Sequence, residues 1–192
     1  FTVGMPEGQN WAGGRSWTTD GRAFIPNMPT EEVFCAPHRD RAEGRLVASL
    51  PQSHGGSRVE GIVLTFADGQ VVDFDARAGR ETLAAILNTD AGARRLGEIA
   101  LLPADSPIAG MNLLFYNTLF DENAACHFAL GRGYSECVRG GEAMDEAALL
   151  EAGVNQSLVH VDFMVGTRDL RIEGIRKDGS RAPVFEDGVW AF

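Results

Sequence analysis

Two alternating runs, Val59–Phe66 (VEGIVLTF) and Gln70–Ala76 (QVVDFDA), flank Ala67-Asp68-Gly69 within the stretch Arg58–Ala76. An Asp-Gly between period-two hydrophobic runs specifies a tight hairpin, because the favoured two-residue turn needs a left-handed backbone at both central positions. Strands joined this way are antiparallel by construction, and the polar positions of the hairpin read as a solvated face. Phe1–Pro29 adds short strands around turn signals at Pro6-Glu7-Gly8, Gly13-Gly14 and Asp20-Gly21, and Gly44–Pro51 reads as a further strand. The tail, Leu170–Phe192, is a meander turning at Asp178-Gly179 and Asp187-Gly188. Helical spacing occurs in Arg80–Asn88, Asp90–Leu96 and Met144–Ala152, with Gly153 suited to end the last of these. The expected fold is α+β, a mostly antiparallel β-sheet or barrel-like core with a few short helices, in one domain.

A net charge of −10 opposes binding to nucleic acid, which requires a basic face, and disfavours anionic membranes. No apolar run approaches the roughly 18 residues of a spanning helix. Cys35, Cys126 and Cys137 make an odd set without a CxxC pair, which fits a reducing, cytoplasmic setting better than a disulfide framework. Asn155-Gln156-Ser157 matches a glycosylation sequon, but nothing else in the chain reads as secreted. Phe1 opens the chain with no basic segment and no apolar leader, as a fragment of a longer protein would.

Chemistry concentrates in Leu119–Tyr134 (LFDENAACHFALGRGY), where Asp121, Glu122, His127 and Tyr134 sit among small and apolar residues. Buried carboxylates need a counter-charge, and a metal ion supplies one; the alternative is an amphipathic element whose polar residues face water. Leu113–Ala125 reads as helical, with Gly131 and Gly133 ending any helix before Tyr134. Five residues turn an ideal helix by about 140°, so Glu122 and His127 reach one ion only if the geometry breaks between them. Glu98 heads the apolar strand-like run Gly97–Leu102, which Pro103 ends, and a Ser106–Met111 loop follows. In the strand Leu158–Val165, alternation points His160 and Asp162 to one face and Val161 and Phe163 to the other. A satisfied core pair is the ordinary explanation of an isolated His-x-Asp.

The candidates are therefore Glu31 or Glu32, Glu98, Glu122, His127, His160 and Asp162. A carboxylate-rich set with two imidazoles suits a pair of divalent ions (zinc, cobalt or manganese) better than a thiolate zinc site. Two ions about 3.5–4 Å apart would generate a hydroxide nucleophile near neutral pH, and Tyr134 could hydrogen-bond the oxyanion that follows. Other chemistries lack their residues: there is no G-x-S-x-G elbow and no phosphate-binding glycine loop, and Gly131-Arg132-Gly133 is too short for a dinucleotide fingerprint. Cys126 and His127 are neighbours in sequence and do not face one another. Cys35 and Cys137 read as small core residues, and His38 and His54 as surface positions.

Four blocks, Asn27–Phe34 (NMPTEEVF), Asp90–Leu102 (DAGARRLGEIALL), Leu119–Tyr134 and Asn155–Gly166 (NQSLVHVDFMVG), together resemble the catalytic half of the thermophilic-type metallo-aminopeptidases, the aminopeptidase T and aminopeptidase S family. The resemblance runs in order over nearly the whole chain. It implies a two-metal exopeptidase that removes N-terminal residues from peptides. Glu98 resembles the bridging carboxylate, and Glu32, Glu122, His127, His160 and Asp162 resemble the remaining ligands. Tyr134 resembles the catalytic tyrosine, and Glu31 is left as a supporting group or proton shuttle. Cys35 stands where the family pattern suggests Thr. Members of the family are longer homodimers, so the resemblance implies that residues 1–192 are a single catalytic domain lacking an N-terminal domain. The competing expectations are another bimetallic hydrolase, an amidase or phosphoesterase, and a metal-free dimerisation module.

Overall fold

In the computed structural model, which describes residues 1–192, the strand Leu96–Leu101 is buried at every position. It pairs antiparallel with His127–Gly131 on one side and Val33–Cys35 on the other. His160–Met164 extends the sheet beyond His127–Gly131, and Ala12–Gly13 closes the opposite edge. All pairings are antiparallel and both edges stay open, so the expected antiparallel fold takes the form of open sheets, not a closed barrel.

A second sheet of four strands holds the hairpin. Val63–Ala67 and Gln70–Asp75 pair with Ala67 opposite Gln70, and Asp68 (φ 49°) and Gly69 (φ 75°) supply the left-handed turn. Ala42–Val47 and Thr2–Val3 complete this sheet. Leu46, Leu64, Phe66 and Val71 from it share one buried cluster with Leu96, Ile99, Leu101, Phe128, Leu130 and Phe163 from the first sheet. Burying each such side chain contributes roughly 1.5–3 kcal/mol. One face of the first sheet is thereby committed to the core. The tail forms a separate three-stranded meander, Ile172–Ile175, Arg181–Glu186 and Val189–Trp190. No helix is long and apolar enough to cross a membrane.

The helices Arg80–Leu87 and Glu146–Glu151 lie where the spacing places them, the second capped by Asp145 accepting from the Ala148 N–H at 2.9 Å. Asp90–Leu96 departs from its helical expectation and forms turns. The carbonyls of Arg94 and Arg95 accept from the Val71 and Gly131 N–H groups, so tertiary partners take the acceptors a helix would need. Pro107–Met111, expected as loop, is a short helix with Ser106 as its cap and Pro107 in its first turn. Leu113–Ala125 is helical only over Thr118–Asp121, followed by a single tight 3₁₀ turn, Glu122–Ala124. The Asp121 carboxylate accepts from the Phe115 and Asn117 N–H groups, folding the segment before it into a loop. His127–Gly131 is strand, so Gly131 ends a strand and not a helix.

Candidate metal centre

Antiparallel register builds the site. Directly opposed residues project to the same face of a sheet, and so do residues two apart on one strand. Ala129 lies opposite both Glu98 and Asp162, and Gly131 lies opposite His160. Phe34 lies opposite Ala100, which in turn lies opposite His127. Glu98, His127, His160 and Asp162 therefore share the face turned away from the hydrophobic core. Glu32, two residues before Phe34, joins them from the edge. The residues opposite these side chains in the sheet, Ala100, Ala129 and Gly131, are small.

Glu122 arrives from outside the sheet. The 3₁₀ turn ends at Ala124, Ala125 is extended (φ −162°, ψ 155°), and the strand begins two residues later at His127. The break in geometry lets Glu122 and His127 converge. Three overlapping groups result: Glu32, Glu98 and His127; Glu98, His160 and Asp162; and Glu122, His127 and Asp162. Within each group the donor atoms lie within 4.8 Å of one another. Each of Glu98, His127 and Asp162 belongs to two groups, so geometry alone does not single out one bridging ligand. Glu31 is exposed and stands outside all three.

Both imidazoles are oriented by backbone. His127 Nδ1 lies 3.1 Å from the Ala125 carbonyl and His160 Nδ1 lies 2.7 Å from the Arg132 carbonyl. A carbonyl only accepts, so Nδ1 carries the proton in each ring and Nε2 points into the carboxylates. His160 Nε2 lies 3.0 Å from Glu98 and 3.2 Å from Asp162. His127 Nε2 lies 3.1 Å from Glu32 Oε2, but off the donor axis, and that buried oxygen has no hydrogen bond.

The electrostatics are those of a site missing positive charge. Four carboxylates converge on only two imidazoles, so the cluster has more acidic groups than bases to balance them. Burial, then the neighbouring Asp162 and Glu32 carboxylates, push the Glu122 carboxyl up to about 8. Burial also raises Glu98, against the pull of His160. Burial opposes protonation of the two histidines, but the surrounding carboxylates win and lift His127 to about 9 and His160 to about 11. Burial acts to raise Asp162, yet its contact with His160 holds it below the ordinary range. Tyr134 lies over His160, ring centroids 4.9 Å apart, and burial with the facing carboxylates pushes its hydroxyl above its usual value. It is therefore a proton donor at neutral pH. An orphaned buried carboxylate oxygen, two pre-aimed Nε2 atoms and an all-oxygen-and-nitrogen donor set fit divalent metal.

A pH dependence follows for the metal-free protein. Glu122, His127 and His160 each bind a proton more tightly folded than unfolded. Their stabilisation is complete below the unfolded values and is lost as pH rises through the folded ones. Asp162 has the opposite sign, but its loss lies on the acid side of the ordinary carboxylate range. In chelator, the melting temperature is expected to fall steadily between about pH 6 and pH 9. Saturating zinc, which replaces those protons, is expected to flatten that slope. Thermal melts across this range with and without metal measure both.

The comparisons with known proteins cover nearly the whole chain. A family model described as thermophilic metalloprotease (M29) matches residues 1–190. The chain belongs to the M29 metalloprotease family. Aminopeptidase 2 of Geobacillus stearothermophilus is 53% identical over 192 residues, covering 100% of this M29 chain and 46% of the relative. Aminopeptidase T of Thermus thermophilus is 50% identical over 190 residues, covering 99% and 46%. The structure of wild-type AmpT from Thermus thermophilus superposes with a TM-score of 0.93 at 50% identity, over 99% of this chain and 47% of that one. The chain thus spans about half the length of the curated relatives it matches. Metalloprotease membership implies a divalent metal, for which the clustered residues are candidate ligands.

Two buried amides around the M29 centre escape sequence reasoning. Asn155, fully buried, donates through Nδ2 to the Gly92 carbonyl at 2.8 Å and the Gly131 carbonyl at 2.6 Å. That role explains an Asn in the sequon position and leaves it inaccessible to glycosylation. Asn123, also buried, accepts from the Glu31 N–H at 2.6 Å. An amide within the apolar run after Glu122 is the signal that points to it.

Proposed function

We propose that residues 1–192 form a single metallopeptidase catalytic domain that hydrolyses N-terminal residues from peptides with two divalent ions, zinc, cobalt or manganese. The observation that carries this reading is the pair of imidazoles with Nδ1 tied to backbone and Nε2 aimed into four carboxylates. Glu32, Glu98, Glu122, His127, His160 and Asp162 are the proposed ligands. Glu98 is the proposed bridge, as the carboxylate of the central strand, 4% exposed and common to two of the three groups. Ions held there would polarise a peptide carbonyl and activate water as a nucleophile at neutral pH.

The chain's own groups handle the rest. Tyr134, 41% exposed with its ring tilted against that of His160, can donate its hydroxyl proton in a hydrogen bond to an oxygen that gains charge as the carbonyl becomes tetrahedral. Glu31, exposed and adjacent in sequence to Glu32, is the proposed proton shuttle between water and the departing amine. A cytoplasmic homodimer belongs to the same reading, supported by three free buried thiols and by exposed Trp17, Ile25 and Met28.

Aminoacyl-anilide and phosphodiester substrates, assayed with added cobalt or zinc, test the reaction class: turnover of the first and not the second is expected, and the reverse overturns the peptidase reading. Tyr134→Phe is expected to retain stoichiometric metal and lose about 10²–10³ in kcat, the cost of one oxyanion donor. Unchanged kcat would remove Tyr134 from the reaction.

A further inference from the structure

Four of the six proposed ligands stand on paired strands, where backbone hydrogen bonds fix their relative positions. Glu32 and Glu122 do not. Glu32 precedes its strand, and Glu122 opens a single 3₁₀ turn, a geometry with little rigidity of its own. Something else must hold these two segments together across the site, because both carboxylates approach the shared ligand His127.

Asn123 spans that gap. Its Oδ1 accepts from the Glu31 N–H at 2.6 Å, one residue from Glu32. Its Nδ2 donates to the Leu119 carbonyl at 3.0 Å, within the helical turn that leads into Glu122, and reaches the Pro29 carbonyl at 3.4 Å. The side chain is 1% exposed, so none of these bonds competes with bulk water. Only an amide accepts and donates at once in this geometry; a carboxylate would accept only, and an aliphatic side chain would do neither. We infer that Asn123 is a positioning residue that sets the separation of Glu32 and Glu122, and so governs affinity for metal without touching it.

The inference rests on the metal-site reading, and the two can fail separately. In calorimetric zinc titrations of the full chain, Asn123→Ala is expected to weaken at least one binding event about 10–100-fold, as the loss of ligand-orienting partners does elsewhere. Turnover should recover when excess metal is supplied, which a merely unfolded or misfolded chain would not do. Asn123→Asp is isosteric and guards against a folding defect. It keeps the anchor to Glu31 and loses the donors to Leu119 and Pro29. Its added negative charge would by itself tighten cation binding, whereas loss of positioning weakens it, so a fall in affinity of about 10-fold or more is expected. Ser106→Ala is the local control: Ser106 donates to the Asn123 carbonyl at 3.2 Å and caps Pro107–Met111, so its loss should lower stability and spare metal affinity. Unchanged zinc affinity in both Asn123 variants, or an equal loss in Ser106→Ala, overturns the inference while leaving the metal site intact. A wild-type chain that binds no divalent ion overturns both.

Discussion

Glu98→Ala is expected to abolish stoichiometric uptake of divalent metal and to reduce turnover to background, while leaving the metal-free protein folded. The two halves of that outcome have different causes. Glu98 is 4% exposed on the strand whose neighbours carry His127 on one side and the Glu32 segment on the other, and it belongs to two of the three ligand groups. Its loss strips a donor from both groups at once, which no single change at Glu32 or Glu122 would do. The folded chain, by contrast, gains from the removal of a carboxylate that burial already disfavours in its charged form. His160 keeps Asp162 as partner at 3.2 Å. The variant should therefore melt in chelator at a temperature no lower than that of the wild type. What it should lack is the rise in melting temperature on adding metal, worth about 4 kcal/mol at a thousandfold excess over Kd. Stoichiometric zinc retained by Glu98→Ala would refute the bridging role.

How much of this was legible in the sequence depends on the range of the information. His160-Val161-Asp162 declares a shared face because strand alternation is local, and Asp68-Gly69 declares a hairpin because turn chemistry is local. The break between Glu122 and His127 follows from helix geometry once both are taken as ligands. What no local pattern carries is register. That Ala129 sits opposite both Glu98 and Asp162 is fixed by pairings between strands remote in sequence, and a slip of one residue would turn the ligands into the core. Residue types and local geometry therefore nominate the candidates, but their separate roles come only from the resemblance. Asp90–Leu96 misled for a related reason. Its Ala, Arg and Leu favour helix locally, but Asp90 is committed to the N–H groups of Gly92, Ala93 and Leu158, and strand partners take the Arg94 and Arg95 carbonyls. The roles of Asn123 and Asn155 are not legible locally, because a buried amide is recognised by what it bridges, and the bridged groups are distant in the chain.

Gly131→Ala is expected to cost heavily in stability, and it should damage the site by a route that touches no proposed ligand. Gly131 ends its strand at φ +102°, a conformation L residues rarely adopt, and a Cβ built there would meet the Val159 carbonyl oxygen at 2.1 Å. That oxygen cannot simply retreat, because it accepts from the Arg132 N–H at 2.7 Å. Arg132 in turn offers the carbonyl that orients His160. The added methyl must therefore push apart the pair Gly131–His160, break the Arg132 bond, or rotate the Gly131 carbonyl off the Asn155 amide. Each is a loss of a buried hydrogen bond on top of backbone strain, so a destabilisation of about 3 kcal/mol or more is expected. For a domain of this size that is a fall in melting temperature of about 10 °C. Gly179→Ala separates the two contributions: Gly179 has a comparable φ of +82° but open space around its Cβ, so it pays only the backbone term, about 1–2 kcal/mol, and leaves metal binding alone. In zinc titrations Gly131→Ala should also lose affinity, because His160 no longer has its Nε2 held toward Glu98 and Asp162. If Gly131→Ala melts with Gly179→Ala and binds zinc as the wild type does, the strand end relaxes freely and the backbone chain from Asn155 to His160 carries no part of the site's geometry.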